Sequence, residues 1–286
     1  MPQRSLPRLV VSLGLLAVSL LPVLAQDDST STFKLRPSFS LGAGMFSFYG
    51  DIGGNHDGYS PLVTRLGYEL RASAPITPWL EGSLFALHGQ LGANERSLSR
   101  NLNFESRVTM GGFMLTYNFK HLVRPTSKVA PYLSLGFESV EFLSKTDLYD
   151  REGRQYHYWS DGTIRDIAQN APNAADAVQI RRDYDYETDI RELDLDGFGA
   201  YPERTWGIPL GFGVRMDLGS GLDLRLGAQY HWTLSDLVDG VTDESIEGRA
   251  GDARNDGILY SSFSVGYAIP MERKKVSRRS ADTSAR

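Results

Sequence analysis

Leu222-Asp223-Leu224-Arg225-Leu226-Gly227-Ala228-Gln229-Tyr230-His231-Trp232-Thr233 alternates without a break. Leu222, Leu224, Leu226, Ala228, Tyr230 and Trp232 share one face, and Asp223, Arg225, Gly227, Gln229, His231 and Thr233 share the other. A period of two is the signature of a β-strand with two unlike sides. Twelve residues exceed a typical strand of a soluble sheet and suit a tilted bilayer crossing. The same pattern recurs at Leu62 to Ala74, where Leu66, Tyr68 and Leu70 oppose Arg65, Gly67, Glu69 and Arg71. It recurs again at Arg204 to Leu218, where Trp206, Ile208, Leu210 and Phe212 oppose Gly207, Gly211, Gly213, Arg215 and Asp217. Weaker alternation marks Phe39 to Tyr49, Trp79 to Leu91, Phe104 to Phe119, Tyr132 to Lys145 and Leu259 to Ile269. The total is eight strands, an even number, as bacterial outer-membrane barrels require.

The connections alternate in length. Pro75 to Pro78 and Gly219 to Gly221 are short, and Lys120 to Pro131 lies at the same end. Gly50 to Pro61, Gly92 to Asn103, Thr146 to Glu203 and Leu234 to Ile258 are longer. Short turns at one end and long loops at the other mark a transmembrane barrel. A soluble barrel or sandwich would also alternate, but with its apolar face inward and its charged face wet. Here glycines and charges of both signs share the presumed lumen face. The opposite face carries Tyr117, Trp206, Tyr230, Trp232 and Tyr267, as an aromatic girdle would. The fold expected is all-β: an eight-stranded antiparallel transmembrane β-barrel with long extracellular loops, monomeric and embedded in outer-membrane lipid.

Composition agrees. Cysteine is absent, which removes disulfides and thiolate metal sites. Hydrophobic residues make up only 41%, yet there are 29 glycines and 11% aromatics, a balance that fits a barrel with a polar interior. Arg4 and Arg8, the apolar run Leu9 to Leu24, and Val23-Leu24-Ala25 before Gln26-Asp27 read as a cleavable signal peptide over 1–25. The run is short for a membrane anchor and contains Pro22. The net charge is −5, and −7 without Arg4 and Arg8, which argues against a nucleic-acid partner. The domain plan is then a signal peptide (1–25), a barrel (26–269) with a large extracellular loop at 146–203, and a basic periplasmic tail (270–286).

Several short pieces add a family likeness. They are Tyr49-Gly50-Asp51-Ile52, Arg100-Asn101-Leu102-Asn103-Phe104, Ala130-Pro131-Tyr132-Leu133 with Gly136-Phe137, Ile208-Pro209-Leu210-Gly211-Phe212-Gly213-Val214, and Thr233-Leu234-Ser235-Asp236-Leu237-Val238-Asp239-Gly240-Val241. With these the chain resembles the small outer-membrane β-barrel proteins of the Bacteroidetes, OmpA-like and PorG-like, the latter associated with type IX secretion. The resemblance spans most of Gly42 to Ala268. It implies a non-enzymatic barrel with protein partners in an envelope or secretion assembly. The Thr146–Glu203 segment is longer than the corresponding PorG loop.

The inward positions carry the candidate chemistry. Arg65, Glu69, Arg71, Arg215, Asp217, Asp223, Arg225 and His231 are expected to form a lumen network, with Glu81 and Glu138 also facing in. A barrel of eight strands is just wide enough for side chains to fill it, so mixed charges pair and plug it. The competing readings are a narrow pore and a lumen or rim hydrolase. None of the histidines lies in a Ser–His–acid or His-Glu-x-x-His pattern, and His231 near Ser235 and Asp236 is the best that a hydrolase reading offers. The large loop carries 14 carboxylates against six arginines and should be solvated. Its Asp194-Leu195-Asp196-Gly197 lacks the remaining ligands of a calcium loop, so neither a metal nor a cofactor is expected. Its aromatics Tyr156, Tyr158, Trp159, Tyr184 and Tyr186 form a candidate binding surface, or else pack the loop onto the barrel mouth. So long a segment needs structure of its own. Strand extensions past the membrane are expected near Gln155–Trp159 and Gln179–Thr188, and a helical turn near Ala174.

Overall fold

The computed structural model describes residues 36–53, 65–98, 100–124, 126–246 and 248–270. The expected signal peptide and the basic tail beyond Pro270 lie outside the described residues, as does Leu62. Strands β1 (Ser38–Tyr49), β2 (Arg65–Pro75), β3 (Leu80–Asn94), β4 (Asn103–Asn118) and β5 (Val129–Thr146) form a meander. The next segment carries three two-residue pieces, β6 (His157–Tyr158), β7 (Ile164–Arg165) and β8 (Thr188–Asp189). Strands β9 (Arg204–Gly219), β10 (Leu222–Thr233) and β11 (Gly257–Ala268) complete the wall. Each long strand pairs antiparallel with its neighbours in the chain, β5 with β9 included. The first and last pair along their whole length, from Ser38↔Ala268 to Tyr49↔Gly257. The result is a closed, eight-stranded up-and-down barrel.

The register carries the alternation through to the two surfaces. Leu41 is 70% exposed, Phe212 61% and Leu70 53%, all on the outer wall, while their neighbours Ser40, Glu69 and Arg71 are buried inside. An apolar band of this extent facing out, with charges facing in, is stable only in lipid. Among the described residues no helix is long and apolar enough to cross a membrane. The expected girdle residues separate into two levels. Tyr117, packed with Trp79, Phe119 and His121, and Tyr267 stand at the short-turn end. At the other end Trp206 stacks on Phe137 at 5.0 Å, and Tyr230 packs against Tyr49 and Trp232.

The short turns have local causes. Ser220 (φ 55°) and Gly221 (φ 84°) join β9 to β10, and a two-residue loop with both φ positive matches the right-handed twist of its strands. The Thr77 hydroxyl accepts the Leu80 N–H at 3.0 Å in the β2–β3 turn. Asn118 caps the 3-10 turn Phe119–Leu122 by accepting the Lys120 N–H.

The long 147–203 segment is folded, but differently from expected. Residues 155–159 do not extend a barrel strand. Instead β6 pairs with β7 in a separate hairpin, joined by a bridge from Arg165 to Gln179. Only β8 adds to the barrel, at Lys145 and Thr146. A 3-10 turn does form at Ala174–Asp176. A short helix α1 (Ile190–Leu193) follows β8, its first amides capped by the Asp189 carboxylate.

In detergent the protein should stay β-rich and migrate as a compact form until boiled, because a closed barrel has no edge from which to fray. Leu70→Arg, on the lipid face midway along β2, should cost about 2–4 kcal/mol in a urea folding titration into vesicles. An unchanged midpoint would place this face away from lipid.

Candidate functional site

The lumen face of β10 sets the site. Asp223, Arg225, Gln229 and His231 point inward from one strand because they share its parity. Arg215 stands opposite Arg225 in the β9–β10 register, a like-charge pair that needs acid on both sides. Asp223 supplies one side, accepting from Arg215 Nη2 at 2.8 Å and Arg225 Nε at 3.2 Å. Glu81 supplies the other from β3, across the barrel, at 3.1 Å from Arg215 and 2.9 Å from Arg225. Two arginines and two carboxylates thus close a ring that ties distant walls together near the short-turn end.

A second bridge lies one step higher. Arg71 pairs with Glu69 on its own strand and donates to Gln229 at 3.3 Å and to the Met114 sulfur at 3.4 Å. Gln229 in turn donates to Glu69 at 3.4 Å. The Arg71 guanidinium also faces the Phe85 ring at 5.8 Å. Higher still, His231 Nδ1 lies 2.8 Å from Glu138 Oε1, with both side chains fully buried. His231 Nε2 and Glu138 Oε2 have no hydrogen-bond partner among the described residues. His231 therefore meets Glu138, and not Ser235 or Asp236, whose neighbourhood suggested a hydrolase.

Two of the expected network residues lie elsewhere. Asp217 is exposed at the rim and accepts the Gly219 N–H at 2.9 Å, because the tight turn beyond β9 offers an amide closer than any lumen cation. Arg65 pairs with Glu105 at 3.0 Å at the opposite end of the wall, beyond reach of the Glu69 layer. Gln229 and Met114 complete the second layer. Their parity is visible in the sequence, but their partners come from strands far apart in the chain.

Above His231 the lumen turns apolar. Phe46, Leu91, Phe104, Val108, Phe142 and Ile258 line it, and four residues from the long loops fill its mouth: Ile52, Ile190, Val238 and Val241. The cap at Asp189 starts α1 so that Ile190 drops into this core. Val238 is pinned on both sides of its peptide: Ser144 donates to its carbonyl, and its N–H donates to Asp256 at 2.8 Å. Asp239 accepts from Ile52 N–H at 3.1 Å and from Val241 N–H at 3.0 Å, coupling two loops. Nothing in the periodicity announced this plug. Its one signal was Leu237-Val238 and Val241 within an otherwise acidic stretch.

The loop aromatics divide by role. Tyr156 is buried with Ile164 and Ile180, Tyr158 packs beside them, and the Tyr156 hydroxyl accepts the Asp183 N–H at 3.2 Å. Burial pushes the Tyr156 phenol up to about 12. Tyr186 donates to Asn94 at 3.1 Å, fastening the module to β3. Arg182 binds Asn94 and the buried Asp147, whose carboxyl burial raises above the usual range despite that arginine. Arg165 lies 4.0 Å over the Trp159 ring, and Trp159 Nε1 donates to the Ile167 carbonyl. Tyr184 is 62% exposed. A cleft of about 180 Å³ runs between Arg96, Leu98 and Asn101 on one side and Tyr158, Trp159 and Thr163 on the other. Among the described residues no three His, Asp or Glu side chains converge to hold a metal ion.

An eight-stranded barrel with an apolar outer band, two aromatic levels and a charge-filled lumen defines an integral outer-membrane protein. Residues 13–269 match the family described as outer membrane protein beta-barrel domain, and the chain belongs to that family. The protein is accordingly one of the outer membrane. No curated protein matches the chain. Among solved structures it is similar to Neisserial surface protein A, at 10% identity and TM-score 0.40, over 83% of this chain and 100% of that one. It is also similar to a major outer membrane protein from Thermus thermophilus, at 10% identity and TM-score 0.42, over 82% and 99%. The outer membrane protein W of E. coli aligns at 14% identity and TM-score 0.34, over 81% and 97%.

Breaking a buried ion pair costs more than the pair contributes, because one charge is left uncompensated. Arg225→Met should therefore destabilise the barrel by about 3–5 kcal/mol in the same urea titration, whereas Asp217→Asn should change it by less than about 0.5 kcal/mol. Equal effects at the two positions would show that the ring does not bear on stability.

Proposed function

We propose that the protein is a non-enzymatic, non-conducting monomeric barrel with a structural or interaction role, working as a membrane-held platform in an envelope assembly of the type IX secretion kind. The observation that carries this reading is the filled lumen. Side chains bridge it at the Glu81–Arg215–Asp223–Arg225 ring and again at Glu69–Arg71–Gln229, and the loops close its mouth. That leaves the folded 147–203 module as the largest structure outside the wall. Short turns face the periplasm in such barrels, and a signal peptide would deliver the N-terminus there, so this module faces the medium. Tyr184 and the cleft beside Trp159 are its open aromatic features. Tyr156 and Tyr186 hold the module in shape and do not offer a contact.

The likeness to the PorG type supplies the assembly, and the ordered outer module supplies the surface for it. A pore needs a continuous wet path, and a hydrolase needs an accessible nucleophile beside His231. The geometry favours neither, since His231 is sealed against Glu138.

Planar-bilayer recordings should show no stable conductance, and an epitope inserted at Asn173 should be stained by antibody on intact cells. Tyr184→Ala combined with Trp159→Ala should leave the barrel heat-modifiable and reduce recovery of intact envelope complexes by about ten-fold, the loss expected when an exposed aromatic anchor is removed. Steady nanosiemens-scale steps would support the pore instead. A folded double variant that recovers complexes at the wild-type level would remove the module from the interaction.

A further inference from the structure

The outer plug holds more carboxylates than its local charge balance explains. Asp51 follows β1, while Asp236, Asp239 and Asp256 belong to the segment that seats Val238 and Val241. Asp256 is fully buried. Its Oδ2 accepts the Val238 N–H, and its Oδ1 has no partner among the described residues. Asp236 Oδ1 and Asp51 Oδ2 are also buried and unpartnered. Asp239 differs, because both of its oxygens accept backbone N–H groups.

Among the described residues the cations nearby make their ion pairs with other carboxylates. Arg100, from the β3–β4 segment, lies 3.7 Å from Glu95 and donates to the Arg249 carbonyl. Arg249 is held by Asp196 at 3.1 Å, and Arg254 lies beside Asp252. Among the described residues Tyr201 and Tyr230 are further titratable neighbours, with Asp243 and Asp252 as further acids. Among the described residues none of these arginines pairs with Asp236, Asp239 or Asp256. A carboxylate buried without a countercharge is far costlier ionised than neutral. The unpartnered oxygens are where a neutralising proton fits. The carboxylates do not converge as metal ligands would.

We propose that the outer plug is latched by protons: one on Asp256 and a second on Asp236 keep the 234–256 segment seated in the barrel mouth, and their loss releases it. Burial raises Asp256 well above the ordinary carboxylate range, and repulsion from Asp239 adds to this. Burial pushes Asp236 up to about 7, with Asp51, Asp252 and Asp243 adding to the rise. Asp239 is raised by burial against the pull of its two amide donors. A raised folded value means that the seated form binds protons the released form gives up. The stabilisation is complete below the ordinary carboxylate range and is lost as the pH climbs through about 7 for Asp236, and further up for Asp256. The ion ring near the other end contains no member of this cluster, so release opens the mouth without unlocking the lower lumen.

Hydrogen exchange on the full-length protein in detergent tests this, with protection corrected for the intrinsic rate at each pH. Peptides covering Val238 and Val241 should lose at least about ten-fold in protection between about pH 6 and about pH 9, while β4 and β5 stay constant. Asp236→Asn with Asp256→Asn keeps an acceptor for the Val238 N–H and sets an amide where the proton sits. That variant should hold its protection across the range, whereas Asp217→Asn, exposed at the far end of the barrel, should respond like the wild type. Should the double variant not reach the heat-modifiable form, Asp236→Asn alone must narrow the response. A flat wild-type profile would overturn the proposal, as would a full response in the double variant. Calcium chloride that restores wild-type protection at about pH 9 would overturn it in favour of a metal-held plug.

Discussion

In hydrocarbon no water is present to satisfy a peptide group, so each backbone N–H and C=O in the wall must find a partner within the protein. Pairing of β1 with β11 meets that demand for both ends of the chain at once, and the rest of the architecture depends on it. Once the sheet is closed, each strand has one face to lipid and one to a confined lumen. Strict alternation follows. So does the narrow interior, which side chains must fill because eight strands leave room for little else.

The filling comes in two kinds. Near the short turns it is ionic, with the Arg215 and Arg225 guanidiniums each shared between Glu81 and Asp223. Such a ring adds little net stability over apolar packing, but it fixes which strands face each other, since any other arrangement leaves a buried charge bare. Near the long loops the filling is apolar, and the wall alone does not complete it. Ile52, Ile190, Val238 and Val241 come from outside the strands to close that core. The loops are therefore part of the folded unit. Their hold is weaker than that of the sheet, because it rests on a few side chains and on amides taken by Asp239 and Asp256.

The outer module shows how an acidic segment acquires structure. Three of its arginines pair internally, Arg154 with Asp150, Arg165 with Asp161 and Arg182 with Asp147. Its aromatics serve packing before recognition: Tyr156 forms a small core with Ile164 and Ile180, and Tyr186 ties that core to Asn94. What this packing leaves open is chiefly Tyr184 and the cleft at Trp159.

Strand number, topology and the inward or outward sense of residues on the clearly alternating strands were legible in the sequence, because a period of two is a local property. Arg215, Asp223 and Arg225 were assigned to the lumen on parity alone, and in the structure they share one ion-pair ring with Glu81. Parity does not give height along the barrel or the stagger between distant strands. Arg65 and Asp217, whose pattern resembled that of their neighbours, accordingly ended beside Glu105 and at a turn amide. His231 found Glu138 on a strand far away in the chain, and not the adjacent Ser235 and Asp236. Loop residues carry no period at all. Only the tertiary structure decided that Val238 and Val241 would enter the mouth, because a vacancy in the barrel core exists only after eight strands have closed around it.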